Sequence, residues 1–153
     1  MKKVKQIKDN IIIENYYVHI FEPDQKIQNY KFINLSEFTK KKHKKQKCSV
    51  YIGDLLEYFD RNECLNILNQ IVDKLGAGSK LYVQGVDSKS IAQSFASDEL
   101  TEIMYNVMMY GLGKKNIFTF PTIKHLIKTI QTLEIHDIKF MNSINYYIEC
   151  NKL

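Results

Sequence analysis

Two acids stand where a strand should give way to a loop. Asp54 follows the apolar run Ser49 to Gly53, with Glu57 three residues on, and Asp87 follows the run Lys80 to Val86. A carboxylate at the carboxyl end of a strand can accept hydrogen bonds from a ligand or take a proton from a reacting group. A helical pattern lies between the two runs, so Cys48 to Asp87 reads as one strand–helix–strand unit with an acid-bearing loop after each strand. That is half of a ligand-binding crevice. The other half should be a glycine-rich turn after the first strand, where free backbone N–H groups meet a phosphate or nucleoside. All six glycines of this chain lie at Gly53 or later.

The elements that must position these acids are legible in the hydrophobic pattern. Ile11 to Phe21 is rich in β-branched and aromatic residues and alternates after Asn15, so it predicts a strand. Glu22-Pro23-Asp24 ends it, because proline cannot donate to a ladder. Tyr30 to Leu35 predicts a second strand, and Ser49 to Gly53 a third. Asp60 with Glu63 three positions later has the capping-box spacing, and a helix begins there. Cys64, Leu65, Ile67, Leu68, Ile71, Val72 and Leu75 give it one apolar face, and Gly76 is the expected left-handed C-cap. The strand Lys80 to Val86 follows, which makes a parallel crossover the default.

Beyond Asp87 the pattern predicts a short helix over Ser88 to Phe95. A second, capped by Ser97 or Asp98, includes Leu100, Ile103, Met104, Val107 and Met108 and ends at Gly111 and Gly113; its stripe is expected to face the core, the alternative being that its Met and Tyr residues line a ligand pocket. Pro121 opens a third helix with Ile123, Leu126, Ile127, Ile130 and Leu133. Ile135 to Asn142 and Tyr146 to Asn151 predict a closing hairpin. No linker divides the chain, so its 153 residues read as a single α/β domain.

Composition removes several classes of function. Cys48, Cys64 and Cys150 are odd in number, lack a CxxC pair and have no histidine at zinc-ligand spacing, so neither a disulfide framework nor a metal site is expected. His19, His43, His125 and His136 are scattered over different elements. No apolar run reaches the ~20 residues of a membrane span. The basic start has too short an apolar core for a signal peptide, which points to the cytoplasm. The net charge is +5, but six lysines lie between Lys40 and Lys47, and without them the remainder is −1. The tract offers weak, salt-sensitive contact to nucleic acid, or serves only as a solvated loop. Arg61 is the only arginine, so bidentate phosphate or guanine recognition has little to work with.

In its order of segments the chain resembles class I S-adenosylmethionine-dependent methyltransferases, and most closely the small ones of surface-polysaccharide gene clusters. SVYIGDLLEYF resembles that family's fourth strand and loop. VDKLGAGSKLYVQGVD resembles the stretch before and through its fifth strand, and MMYGLGKKNIFTFPTIKHLIKTIQTLEI its later Tyr-Gly segment and next helix. The hairpin ending YYIECNKL is similar as well. The resemblance implies a reduced Rossmann-like fold with a mostly parallel sheet and a C-terminal antiparallel hairpin, better preserved over 48–153 than over 1–47. It also implies S-adenosylmethionine as cofactor, with Asp24, Glu37, Gly53, Asp54, Leu55 and Asp87 nearest to it and Glu57 and Tyr58 beside the acceptor. A turn or helix cap explains Asp54 equally well, and a solvated loop explains Glu57.

The N-terminal part departs from that pattern. YYVHIFEPDQKIQNYKFINL is similar to a first strand, turn and second strand, but Phe21, Glu22 and Pro23 stand where small turn residues belong. Ser36 or Glu37 replaces the acid that would grip a ribose, Tyr58 replaces a histidine, and Leu35 to Cys48 is too short for a third strand with its helices. Two readings follow: a module that has lost its cofactor and binds or regulates, or an active methyltransferase on a small-molecule or glycan acceptor. A missing third strand would expose a sheet edge, from which a homodimer or protein complex is expected. The richness in lysine, isoleucine and asparagine suggests an AT-rich genome, viral or of a small-genome bacterium.

Overall fold

The computed structural model describes residues 5–7, 10–12, 17–21, 31–40, 45, 47–111 and 117–153, with backbone alone for those before Leu35 and for Asp54. Among the described residues, strands β1 (Lys5–Ile7) and β2 (Asn10–Ile12) pair only with each other. Strands β3 (Tyr17–Phe21) and β4 (Lys31–Asn34) lead into helix α1 (Leu35–Thr39). Strand β5 (Ser49–Ile52), a 3-10 turn (Asp54–Tyr58), helix α2 (Arg61–Val72) and strand β6 (Lys80–Val86) form the expected strand–helix–strand unit. Helices α3 (Ser88–Ala96), α4 (Glu102–Tyr110) and α5 (Phe120–Lys128) precede the hairpin of β7 (Leu133–Met141) and β8 (Asn145–Lys152).

The main sheet has six strands in the order β4-β3-β5-β6-β8-β7, and one neighbouring pair in it, β5 with β6, is parallel. The expectation of a mostly parallel sheet is therefore corrected: four of the five pairings are antiparallel. For β3 and β4, connection length supplies the reason. A parallel pair needs a crossover of about a dozen residues or more, which the helix between β5 and β6 provides and the segment 22–30 between β3 and β4 does not. The predicted strand from Ile11 to Phe21 is likewise two strands, one in each sheet.

One face of the sheet carries the core. Val50 and Ile52 of β5, Leu81 and Val83 of β6, and Ile148 and Cys150 of β8 pack in one cluster with Leu35 and Phe38 of α1, the apolar side of α2, and Ile123, Leu126 and Ile127 of α5. Each such fully buried aliphatic side chain contributes roughly 1.5–3 kcal/mol. The opposite face holds Lys80, Tyr82, Gln84, Tyr147 and Glu149. Tyr51 Oη donates to Gln84 Oε1 at 2.6 Å there, and Lys80 Nζ pairs with Glu149 Oε1 at 2.7 Å. This face is only partly open to solvent: Tyr82 is buried, and Lys80, Gln84, Tyr147 and Glu149 are half-buried.

Local signals account for the element ends. The Asp60 side chain accepts from Glu63 N at 2.9 Å and the Glu63 carboxylate accepts from Asp60 N at 2.8 Å, which completes the capping box of α2. The left-handed glycine after α2 is Gly78, with φ 75°, and not Gly76. The cap of α4 is Thr101, three or four residues later than the expected Asp98 or Ser97, so Leu100 lies outside the helix. Helix α4 also overturns its expected role, because none of its residues is buried. All three cysteines are free and buried, as their small apolar character implies.

Candidate functional site

The parallel pair sets the geometry. β5 and β6 run side by side from Ser49↔Lys80 to Ile52↔Val83, so Gly53 and the 3-10 turn leave at the same sheet end as Asp87. Strand β4 finishes there too, because Asn34 pairs with Tyr17 at the start of β3, and α1 with Glu37 begins beside it. The structure thus gathers Gly53, Leu55, Glu57, Tyr58, Asp87 and the helix carrying Glu37 at one end of the sheet. Asp24 lies outside the described residues. Strand β3 ends at Phe21 opposite Ser49, the residue with which β5 begins. A chain leaving β3 departs from the far end of the sheet, not from the end where Gly53 and Asp87 stand.

Each gathered residue has a local occupation. Leu55, Leu56 and Phe59 are buried in the core cluster and close the sheet end. Leu55 N donates to Gly53 O at 2.6 Å, which tightens the turn directly after β5. Glu57 is 3% exposed, so a solvated loop carboxylate does not describe it; its Oε1 accepts from Val86 N at 3.2 Å and ties the 3-10 turn to the end of β6. Tyr58 is half-buried and packs on the edge of the core cluster. Glu37 is exposed in the first turn of α1. Of Asp54, the backbone opens the 3-10 turn.

Asp87 is the most heavily engaged of them. It is 5% exposed; Oδ2 accepts from Ser90 N at 3.1 Å and from Ser90 Oγ at 2.6 Å, while Oδ1 accepts from Phe120 N at 2.8 Å. One carboxylate therefore caps α3 and also satisfies an N–H in the first turn of α5, whose own N-cap, Thr119, makes no side-chain cap bond. Two helix N-termini converge on a negative charge, which is the favourable sense of the helix dipole. Ser90 and Phe120 were not singled out by the sequence. An aspartate directly before a helical pattern is itself an N-cap signal and would have found Ser90. The link to Phe120 spans 33 positions and has no local signature.

An aromatic cluster seats Phe120. Its ring lies 5.5 Å from that of Tyr146 and 4.9 Å, edge on, from that of Phe140. Tyr146 in turn lies over Gly85, where an added Cβ would stand 2.5 Å from the phenol oxygen. Gly85 is needed there for close approach, not for backbone freedom.

The buried thiols Cys64, near this end, and Cys48, at the far end of β5, are inert. Burial pushes Cys64 up to about 12, with Asp60 and Glu63 adding to the shift, and pushes Cys48 up to about 11. Cys64 Sγ donates to Leu56 O at 3.2 Å. Among the described residues no group of three or more histidines, cysteines and acids could hold a metal ion, and no helix is long and apolar enough to cross a membrane. Of the lysine tract, Lys40, Lys45 and Lys47 are described, and all three are exposed.

The sheet, its flanking helices and the closing hairpin define a methyltransferase-like α/β fold. Solved structures similar to it include an O-methyltransferase family 2 protein from Planctomyces limnophilus in complex with apigenin, at 14% identity and a TM-score of 0.52 over 71% of this chain and 31% of that one. TnmH is similar at 14% identity and a TM-score of 0.52, over 76% and 33% of the two chains. The plantazolicin methyltransferase BamL, in complex with a triazolic desmethylPZN analog and SAH, is similar at 12% identity and a TM-score of 0.54, over 78% and 58%. This chain spans from about a third to somewhat over half of the length of these structures. No family model matches the sequence, and no curated protein is similar to it at a significant level.

Proposed function

We propose that this chain is a methyltransferase-fold binding or regulatory module, without transferase activity of its own, working in the reducing cytoplasm that its three unbridged cysteines suit. One observation carries the reading: β3 runs antiparallel to β5. A ligand crevice in an open α/β sheet forms at the carboxyl ends of neighbouring parallel strands whose connections depart to opposite sides. With β3 reversed, the segment that follows it leaves from the amino-terminal end of β5, and the loops after β5 and β6 lack the opposing half. Two of the acids there serve the main chain instead, Glu57 at Val86 N and Asp87 at two helix N-termini.

A second reading is an active S-adenosylmethionine-dependent methyltransferase, favoured by the likeness of the fold to an enzyme solved with SAH. In that reading Gly53, Asp54, Leu55 and Asp87 face the cofactor, and Glu57 or Tyr58 aligns the acceptor and takes its proton. Calorimetric titration with S-adenosylmethionine and S-adenosylhomocysteine separates the two. The module reading expects no saturable heat and no thermal stabilisation at millimolar ligand. Saturable micromolar binding, weakened in Asp54→Asn, would restore the enzyme.

A further inference from the structure

Helix α4 has the composition of a core helix in the position of a surface one. Seven of its nine residues are Ile, Met, Val or Tyr, yet none is buried. Tyr105, Met108 and Met109 turn toward the protein and are half-buried, and Tyr105 stacks on Phe95 of α3 with ring centroids 4.6 Å apart. Ile103, Val107 and Tyr110 fall at i, i+4 and i+7 and form one outward stripe with Met104 beside it. Their exposures are 77%, 56% and 68%, with 49% for Met104. Together these four leave roughly 500 Å² of apolar surface in contact with water, at the upper end of what a lone soluble domain carries. A helix of two and a half turns with so little burial gains little from propensity alone.

We infer that α4 is the interface of a two-fold homodimer, each copy covering the other's Ile103–Val107–Tyr110 stripe. Self-complementarity follows from the order of side chains along the stripe. In an antiparallel pair the smallest, Val107, meets its own copy at the axis, where two helices approach most closely, and Ile103 lies against the partner copy's Tyr110 on either side. The antiparallel arrangement also sets the two helix dipoles against each other. Doubling the stripe removes about 1,000 Å² in total, the lower bound of a specific interface, so association in the micromolar range is expected. A membrane surface fits the stripe poorly: α4 carries no lysine or arginine, and Asp98, Glu99 and Glu102 cluster at its start, where anionic headgroups would repel them. The inference is independent of whether the fold binds a cofactor, and it places the interface on a helix instead of a sheet edge.

The test is light scattering on the full-length chain across micromolar concentrations, for the wild type and for Ile103→Lys/Val107→Lys, with circular dichroism and the thermal midpoint of each. The expected result is a concentration-dependent dimer that becomes monomeric in the variant while the midpoint holds. A wild type monomeric at hundreds of micromolar, or a dimer that survives the variant, would overturn the inference, the latter in favour of a sheet edge. Co-flotation of monomeric wild type with phosphatidylcholine vesicles would overturn it in favour of lipid. Should the double variant fold poorly, Val107→Cys provides the second measurement. The axis position predicts a disulfide-linked dimer under mild oxidation, the native thiols being buried, and absence of that species would sink the proposal.

Discussion

At the residue scale, two of the acids that look chemical in the sequence, Glu57 and Asp87, are engaged with the backbone. Asp87 accepts from Ser90 N, Ser90 Oγ and Phe120 N, so replacing it removes a cap from α3 and leaves a donor of α5 without its acceptor. Asp87→Ala is expected to cost about 2–3 kcal/mol, one lost cap plus one buried donor left unsatisfied, read as a fall in the urea midpoint. Asp87→Asn keeps one oxygen acceptor and should fall between the two. A loss near zero for Asp87→Ala would mean that its bonds do not hold the helices, and would return the residue to the list of ligand-binding candidates. Gly85 shows the same dependence on tertiary contact. In sequence it is only a glycine in a strand, whereas in the structure it makes room for Tyr146.

At the element scale, the start and the buried side of helix α2 are legible because their determinants are local, whereas its end is not: the helix stops at an Asp73 C-cap, three residues short of the expected Gly76. The Asp60–Glu63 box sets its start, and Cys64, Ile67, Leu68, Ile71 and Val72 form its buried side. Asp60→Ala should lower stability by about 1 kcal/mol, a shift of about 2–4 °C in the thermal midpoint for a domain of this size. An unchanged midpoint would show that packing alone holds that end. Helix α4 was misread because spacing reports that a helix has an apolar face and not what covers it. The strands β3 and β4 were found, but their direction was not. Their short connection held the information, since residues 22–30 are too few for a parallel return.

At the scale of the molecule, the sheet has its core on one face, with Cys48 and Cys150 buried among the aliphatic side chains that fill it and Cys64 on α2 buried against them. Burial raises all three thiols from their ordinary 9.0, Cys48 to about 11 and Cys64 and Cys150 to about 12. Burial raises the phenol of Tyr147 as well. Above about pH 9 the unfolded chain releases thiol protons that the folded chain retains, so stability is complete below that pH and falls as pH rises toward 11 and 12. Urea midpoints at pH 8, 10 and 11 should decline in that order, and Cys150→Val should flatten the slope. A level profile would contradict the burial of these groups.

By itself the sequence determined the α/β class, the strand–helix–strand unit from Ser49 to Val86 and the closing hairpin. Those depend on hydrophobic period, capping and turn chemistry, which act between near neighbours in the chain. Only the tertiary structure decided the direction of β3 against β5, the bond from Asp87 to Phe120 N, the burial of Glu57 and the bare face of α4. Each of these depends on which distant segment arrives alongside, and a side chain's type does not encode its partner. That arrival separates a carboxylate held out to a ligand from one that caps two helices.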